Sequence, residues 1–163
     1  MLMKKHFRLY MDTSFWGRLT EEHLVADRRA TYRFLNRFRF RHDFLSSPLV
    51  LEEIWDMPNP TQRRIIERRF QDAGPVILSG RSQADAIAQA LTREGAFGVG
   101  MLADLIHLGY AIRGYADAVV TWDVSTMARE KVRIAVHAYC HREGRPAPLI
   151  GRPEEVAQWL GLS

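Results

Sequence analysis

Cysteine is nearly absent. Cys140 is the only one, so an internal disulfide and a thiolate metal cluster are both excluded, and nothing demands an oxidising compartment. Long apolar runs are missing too: no stretch approaches the roughly 18 residues that a membrane span needs. The first eight residues are too few and too polar for a secretory signal. A cytoplasmic location and no membrane association are therefore expected. Lysine is scarce, limited to Lys4, Lys5 and Lys131. No internal repeat and no long linker interrupt the chain, so residues 1–163 are expected to form one domain, a length sufficient to bury a core.

What is present fits a globular protein, with 47% hydrophobic and 26% charged residues. Basic residues number 23 against 19 acidic ones, a formal charge of +4, and the pI is near 9.6. Nearly all of the positive charge is arginine, whose planar fork suits bidentate phosphate contact. A basic surface favours a polyanionic partner by counterion release and steering. Arginines spread over solvated faces account for the same charge, so charge alone does not decide the partner.

Along the chain, short apolar runs alternate with helical periodicity. Residues 6–11 read as a strand stopped by Asp12-Thr13-Ser14, whose side-chain oxygens can cap a following helix. Ala30, Phe34, Leu35 and Phe38 form a helical stripe within residues 26–38. Residues 43–46 look like a second strand, and Ser47-Pro48 opens a helix over 49–56, with serine as cap and proline in the first turn. Pro58-Asn59-Pro60 breaks the chain before a helix over 61–70. An extended piece at 75–79, a helix over 83–92, a glycine-rich connector at 95–100 and a helix over 101–113 follow. Residues 118–122 make the clearest strand, a continuous buried run. A helix over 131–141, a strand at 148–150 and a helix over 153–160 complete the pattern. Such alternation predicts an α/β fold, a three-layer α/β/α sandwich around a parallel sheet of four to five strands.

In open parallel sheets, ligands bind beyond the carboxyl ends of the strands. Asp12 and Asp123 each follow a predicted strand. Asp104 lies in the first turn of a helix, and Glu52 and Glu53 lie near the start of another. Taken singly, each acid is explained as a cap, a turn residue or a surface charge. Taken together they would meet on one sheet edge, where like charges repel and raise one another's pKa values. A hard divalent cation resolves that conflict. Mg²⁺ prefers carboxylate and water oxygens and can activate a water against a phosphodiester.

Four segments carry a resemblance: Tyr10-Met11-Asp12-Thr13-Ser14, Ser46-Ser47-Pro48-Leu49-Val50-Leu51-Glu52-Glu53-Ile54, Ala103-Asp104-Leu105-Ile106-His107 and Asp117-Ala118-Val119-Val120-Thr121-Trp122-Asp123. In order and spacing they resemble the motifs of PIN-domain nucleases, over about residues 6–160, and in particular VapC-like toxins of type II toxin–antitoxin pairs. The resemblance implies a PIN-like fold and a metal-dependent endoribonuclease that uses Mg²⁺ or Mn²⁺ and leaves a 5′-phosphate on one product. It also implies an RNA substrate and an inhibitory antitoxin partner; the chain is longer than the family's shorter members, with extra material around Arg63 to Gln83 and Lys131 to Arg145 that could serve partner binding or a homodimer. Carried over, it makes Asp12, Glu53, Asp104 and Asp123 both the metal ligands and the catalytic set. Glu53 is preferred to Glu52 because the family's acid directly precedes an apolar residue, here Ile54. Helical geometry does not settle that choice, since both glutamates flank the apolar arc of Val50, Leu51, Ile54 and Trp55.

Around these acids, Thr13, Ser14 and Thr121 are candidates to orient the ligands by hydroxyl hydrogen bonds, against readings as helix caps and a strand-end hydroxyl. His107, three residues after Asp104, shares its helix face and could touch substrate or hold a water, or simply be satisfied at a helix–sheet boundary. Trp122 reads as packing. Arg63, Arg64, Arg68 and Arg69 form a stripe that is a candidate phosphate track, or a solvated face. Arg37 and Arg39, interleaved with Phe38 and Phe40, match a nucleic-acid-binding pattern, or merely bury the two phenylalanines.

Two other functions compete. A catalytically silent module of the same fold would bind nucleic acid or a partner without cutting. A phosphatase or receiver-like domain would use Asp12 covalently. The phosphatase pattern expects an aspartate where Ser14 stands, and no lysine lies near the late strand to pair with a phosphoaspartate.

Overall fold

A computed structural model describes residues 6–162. Lys4, Lys5 and most of the polar start lie outside the described residues, as does Ser163. The sheet has five strands: β1 (Arg8–Met11), β2 (Asp43–Ser46), β3 (Val76–Ile77), β4 (Ala118–Val120) and β5 (Leu149–Gly151). All pair in parallel, in the order β3-β2-β1-β4-β5. Tyr10 stands opposite Leu45 on one side and Val119 on the other. Leu9, Tyr10 and Met11, like Ala118, Val119 and Val120, are wholly buried. A strand covered on both faces has no use for polar alternation, which is why these runs are continuously apolar.

Among the described residues eight α-helices flank the sheet: α1 (Thr13–Gly17), α2 (Val25–Phe38), α3 (Pro48–Trp55), α4 (Pro60–Ala73), α5 (Arg81–Gly95), α6 (Leu102–Arg113), α7 (Glu130–Arg142) and α8 (Pro153–Trp159). Helix α5 packs on α6 and α7, whereas α1 meets α3 and α4, and α2 meets α8. The usual right-handed crossover, applied to connections that run one way to β3 and the other way to β5, assigns these groups to opposite faces, the expected three-layer α/β/α architecture. The chain winds from β1 outward to β2 and β3, then crosses back to β4 and on to β5. Connections therefore leave β1 and β4 in opposite directions, and a crevice opens at their carboxyl ends. No helix among the described residues is long and apolar enough to cross a membrane.

Some expectations need correction. The strand expected over 118–122 ends at Val120: the Thr121 N–H still donates to the Gly151 carbonyl of β5, but its hydroxyl and the Trp122 N–H bond with the loop after β1. Helix α5 runs to Gly95 rather than stopping near residue 92, and closes with Ala96 in the left-handed region at φ 50°. Phe38 is buried, but Phe40 is 80% exposed. Helix α2 ends at Phe38, whose carbonyl accepts from both Arg41 and His42 backbone N–H groups. Phe40 thus sits on a turn, with the Arg39 guanidinium 4.5 Å from its ring centre.

Helix α6 is buried along most of its length because it lies unusually close to α5. A methyl group added at Gly109 would sit 2.3 Å from the backbone oxygen of Ala84. Backbone cannot yield as a flexible side chain can. Gly109→Ala is therefore expected to lower unfolding stability by about 1–3 kcal/mol, the usual cost of overpacking, measurable by urea denaturation. Unchanged stability would show that α6 does not depend on this close approach.

Candidate active site

The crevice at the carboxyl ends of β1 and β4 is built around Asp12. Directly after β1, its side chain caps α1 by accepting from the Phe15 backbone N–H at 3.2 Å. Ser14 Oγ donates to the same carboxylate oxygen, Oδ1, at 2.6 Å, and Thr121 Oγ1 donates to Oδ2 at 2.6 Å. Thr121 Oγ1 also accepts from the Asp123 backbone N–H, and Ser14 Oγ accepts from the Trp122 backbone N–H, both at 2.9 Å. Two loops separated by more than a hundred residues are thereby tied through one carboxylate. Asp12 is only 3% exposed. Burial raises its pKa, opposed by the His107 imidazole and by the Ser14, Thr121 and Phe15 hydrogen bonds.

Asp12, Glu53, Asp104 and Asp123 all line one cleft of about 340 Å³. Asp104 enters from the first turn of α6, where the helix dipole favours negative charge. Burial raises its pKa, Thr126 opposes the rise, and the neighbouring Asp123 charge adds to it. Ser125 Oγ lies 3.4 Å from Asp123 Oδ1. Glu53 reaches in from α3, while Glu52 on the same helix is exposed and stands 3.8 Å from Arg81. Of the remaining candidates, Thr13, Ser14 and His107 also line the cleft, and Thr121 is buried behind it.

His107 is buried within a hydrogen-bonded chain that the sequence reading lacked. Its Nε2 meets Glu53 Oε1, and its Nδ1 lies 2.8 Å from the Tyr10 hydroxyl, which lies 2.8 Å from Ser47 Oγ. An ionised carboxylate accepts only, so Nε2 donates to Glu53. The charge on the ring sets the next bond: a neutral imidazole accepts the Tyr10 proton at Nδ1 with Ser47 donating to the Tyr10 oxygen, whereas an imidazolium donates from Nδ1 to that oxygen. Burial lifts the Tyr10 pKa well above its ordinary value, so the phenol keeps that proton. Ser47 occupies the N-cap position of α3 but makes no side-chain cap; its hydroxyl serves Tyr10 instead. One signal was present in the sequence: a tyrosine inside a strand buried on both faces must find a partner for its hydroxyl.

Whether these residues suit a divalent cation can be judged from the donors. Among the described residues, no lysine or arginine forms an ion pair with Asp12, Asp104 or Asp123. Thr13, on the cleft wall, has a buried hydroxyl with no hydrogen-bond partner. Among the described residues, no group of three or more histidine, cysteine or acidic side chains converges closely enough to cage an ion. An all-oxygen set without a cage suits Mg²⁺ or Mn²⁺ that retains several waters and takes only one or two direct carboxylates.

The arginines predicted to bind substrate lie elsewhere. Arg63, Arg64, Arg68, Arg37 and Arg39 are all absent from the cleft wall. Arg63 donates to the Trp55 carbonyl and faces Glu67, and Arg64 donates to the Pro60 carbonyl. Arg37 borders a separate groove between α2 and α8. The cleft contains Arg18 instead, which the motifs did not single out.

No protein-family model matches the chain, and no curated protein matches it. Solved structures do. VapBC2 from Rickettsia felis, bound to a DNA fragment from its promoter, aligns at a TM-score of 0.55 and 14% identity, over 88% of this chain and 96% of that one. FitAcB from Neisseria gonorrhoeae aligns at 0.56 and 11% identity, over 89% and 97%. At such identity the likeness concerns the fold, which is the α/β/α PIN-like fold that the motifs implied.

Tyr10→Phe would leave Ser47 Oγ and His107 Nδ1 buried without their shared partner. Stability is expected to fall by about 1–3 kcal/mol, the cost of stranding buried polar groups, read from urea unfolding midpoints. A variant as stable as the parent would mean that the chain from Ser47 to Glu53 contributes nothing to the fold.

Proposed function

We propose that this chain is a divalent-metal-dependent endoribonuclease of the PIN type, serving as the toxin half of a toxin–antitoxin pair. The observation that carries the reading is the meeting of Asp12, Glu53, Asp104 and Asp123 in one cleft at the reversal point of a parallel sheet. The likeness in fold to VapBC2 and FitAcB supports the biological role, since the four motifs independently resemble VapC-like toxins.

Asp12, Asp104 and Asp123, with Glu53 beside them, would hold Mg²⁺ or Mn²⁺. When bound, the metal supplies charge neutralisation on the phosphate and a polarised water for attack on phosphorus. The protein's own contribution is positional. Ser14, Thr121 and the Phe15 N–H fix the Asp12 carboxylate against rotation, and His107 fixes Glu53. Held this way, the carboxylates need no reorganisation as charge develops on the phosphate. The cognate antitoxin would be a protein partner that keeps the cleft from RNA.

Purified protein should shorten a mixed RNA pool with Mg²⁺ or Mn²⁺, stop on addition of EDTA, and recover when metal is restored. Asp12→Asn and Asp104→Asn should each lower the rate by about a hundredfold or more, while circular dichroism shows the fold intact. RNA that is bound but never shortened would replace this reading with the catalytically silent module. Full cutting by both variants would remove the acid cluster from the chemistry.

A further inference from the structure

Arg18 directly follows α1 and is the one arginine or lysine among the described residues that lines the cleft. The same wall carries Glu21 beside the four acids. A phosphodiester approaching such a surface is repelled unless a fixed cation offsets the carboxylates. Arg18 Nε is buried and has no hydrogen-bond partner, although buried donors are normally satisfied. Its ion pair with Asp27 is loose, at 3.9 Å from Nη1 to Oδ2.

The guanidinium lies over the Trp122 ring, 5.2 Å from its centre. Trp122 is itself held at two points. Its backbone N–H donates to Ser14 Oγ at 2.9 Å, and its indole Nε1 donates to Thr31 Oγ1 at 2.8 Å. Thr31 is fully buried, and its hydroxyl donates to the Asp27 carbonyl. The residues on either side of Trp122 are Thr121, which donates to Asp12, and Asp123 on the cleft wall. Platform and acid cluster therefore belong to one rigid strand end. Stacking on an aromatic face also leaves the N–H edge of a guanidinium free for a planar or tetrahedral anion.

We infer that Arg18, held on Trp122, is the phosphate-binding residue of the cleft and takes the non-bridging oxygens of an RNA phosphodiester lying against Asp12 and Asp123. This rests on the ribonuclease reading above and names the substrate contact it lacks. A guanidinium meets two phosphate oxygens through parallel N–H groups, so it fixes orientation as well as supplying charge. The role belongs to Arg18 rather than to Arg63 and Arg64 of α4, because those stand outside the cleft, Arg63 against the Trp55 carbonyl of α3 and Glu67, and Arg64 against the Pro60 carbonyl.

The test uses the full chain with Arg18→Met, Arg18→Lys and Arg18→Gln. Binding of a short single-stranded RNA is followed by fluorescence anisotropy in EDTA across a salt series. Cutting with Mn²⁺ is analysed separately for KM and kcat, and Mn²⁺ affinity and thermal unfolding are measured without RNA. Arg18→Met and Arg18→Gln should weaken RNA binding about tenfold and reduce the salt slope by about one. Arg18→Lys should recover part of the affinity, since it keeps the charge but not the fork. KM should rise with little change in kcat, and Mn²⁺ affinity and Tm should stay put. Unchanged RNA affinity and salt slope in Arg18→Met and Arg18→Gln overturn the inference, even if the parent cuts RNA. A joint fall in Tm and Mn²⁺ affinity overturns it in favour of a structural role. A parent that binds RNA through Arg18 but never cuts it retires the ribonuclease reading and leaves the inference standing. A parent that neither binds nor cuts RNA ends both.

Discussion

The structure turns on the burial of one carboxylate. Asp12 follows the central strand at the point where sheet order reverses, and its two oxygens accept from Ser14, Thr121 and the Phe15 backbone. Those bonds set the start of α1 and tie the loop after β1 to the loop after β4. Desolvation works against the charged form at such a depth, and the raised pKa records that tension. A core built for stability alone would favour an apolar residue or an amide at this position. Retaining an acid here makes sense as preorganisation: donors already aimed at the carboxylate leave it a defined face toward the cleft and no freedom to turn from it.

The same tension runs through the cleft as a whole. Asp104 is pushed up by burial and by the neighbouring Asp123 charge. The chain is strongly basic, yet its arginines largely decorate outer helical faces, and only Arg18 among the described cations reaches the wall. Net charge and site charge thus have opposite signs. On the proposed reading, a basic exterior would draw a polyanion in over long range, while the acidic interior would need a counter-ion before the polyanion could settle.

How much of this was legible depended on distance along the chain. Continuous apolar runs at Leu9-Tyr10-Met11 and Ala118-Val119-Val120 identify buried parallel strands, and strand direction alone puts Asp12 and Asp123 on one edge. That reasoning is local and covers Asp12 and Asp123 only; Asp104 and Glu53 lie on helices, and it is the resemblance that picks out Glu53. The link from Ser47 through Tyr10 to His107 spans separations of 37 and 97 residues and leaves no periodic trace. Ser47 even matched a helix cap, a local role that a tertiary partner displaced. The end of α5 misled for a different reason. Glycine stands at position 95, where a methyl group would strike the Phe97 ring, while Ala96 takes the left-handed turn that usually marks glycine. There, packing of Phe97 outranked backbone preference.

The choice between adjacent glutamates shows where helix geometry stops and chemistry begins. Glu52 and Glu53 flank the same apolar arc, so amphipathicity treats them alike. They are separated by what lies opposite. Glu52 turns to Arg81 on α5, and Glu53 turns to a histidine whose other nitrogen is held by a buried tyrosine. The step from Asp104 to His107 puts both on one face of α6, so one helix presents an acid to the cleft and a donor that orients a second acid from α3. Helix α6 thus couples the cleft to α3, and the close contact at Gly109 fixes its distance from α5. A shift of α6 would move Asp104 and release Glu53 together. For that reason the packing of α5 against α6, remote from the cleft, belongs to the site as much as the carboxylates do.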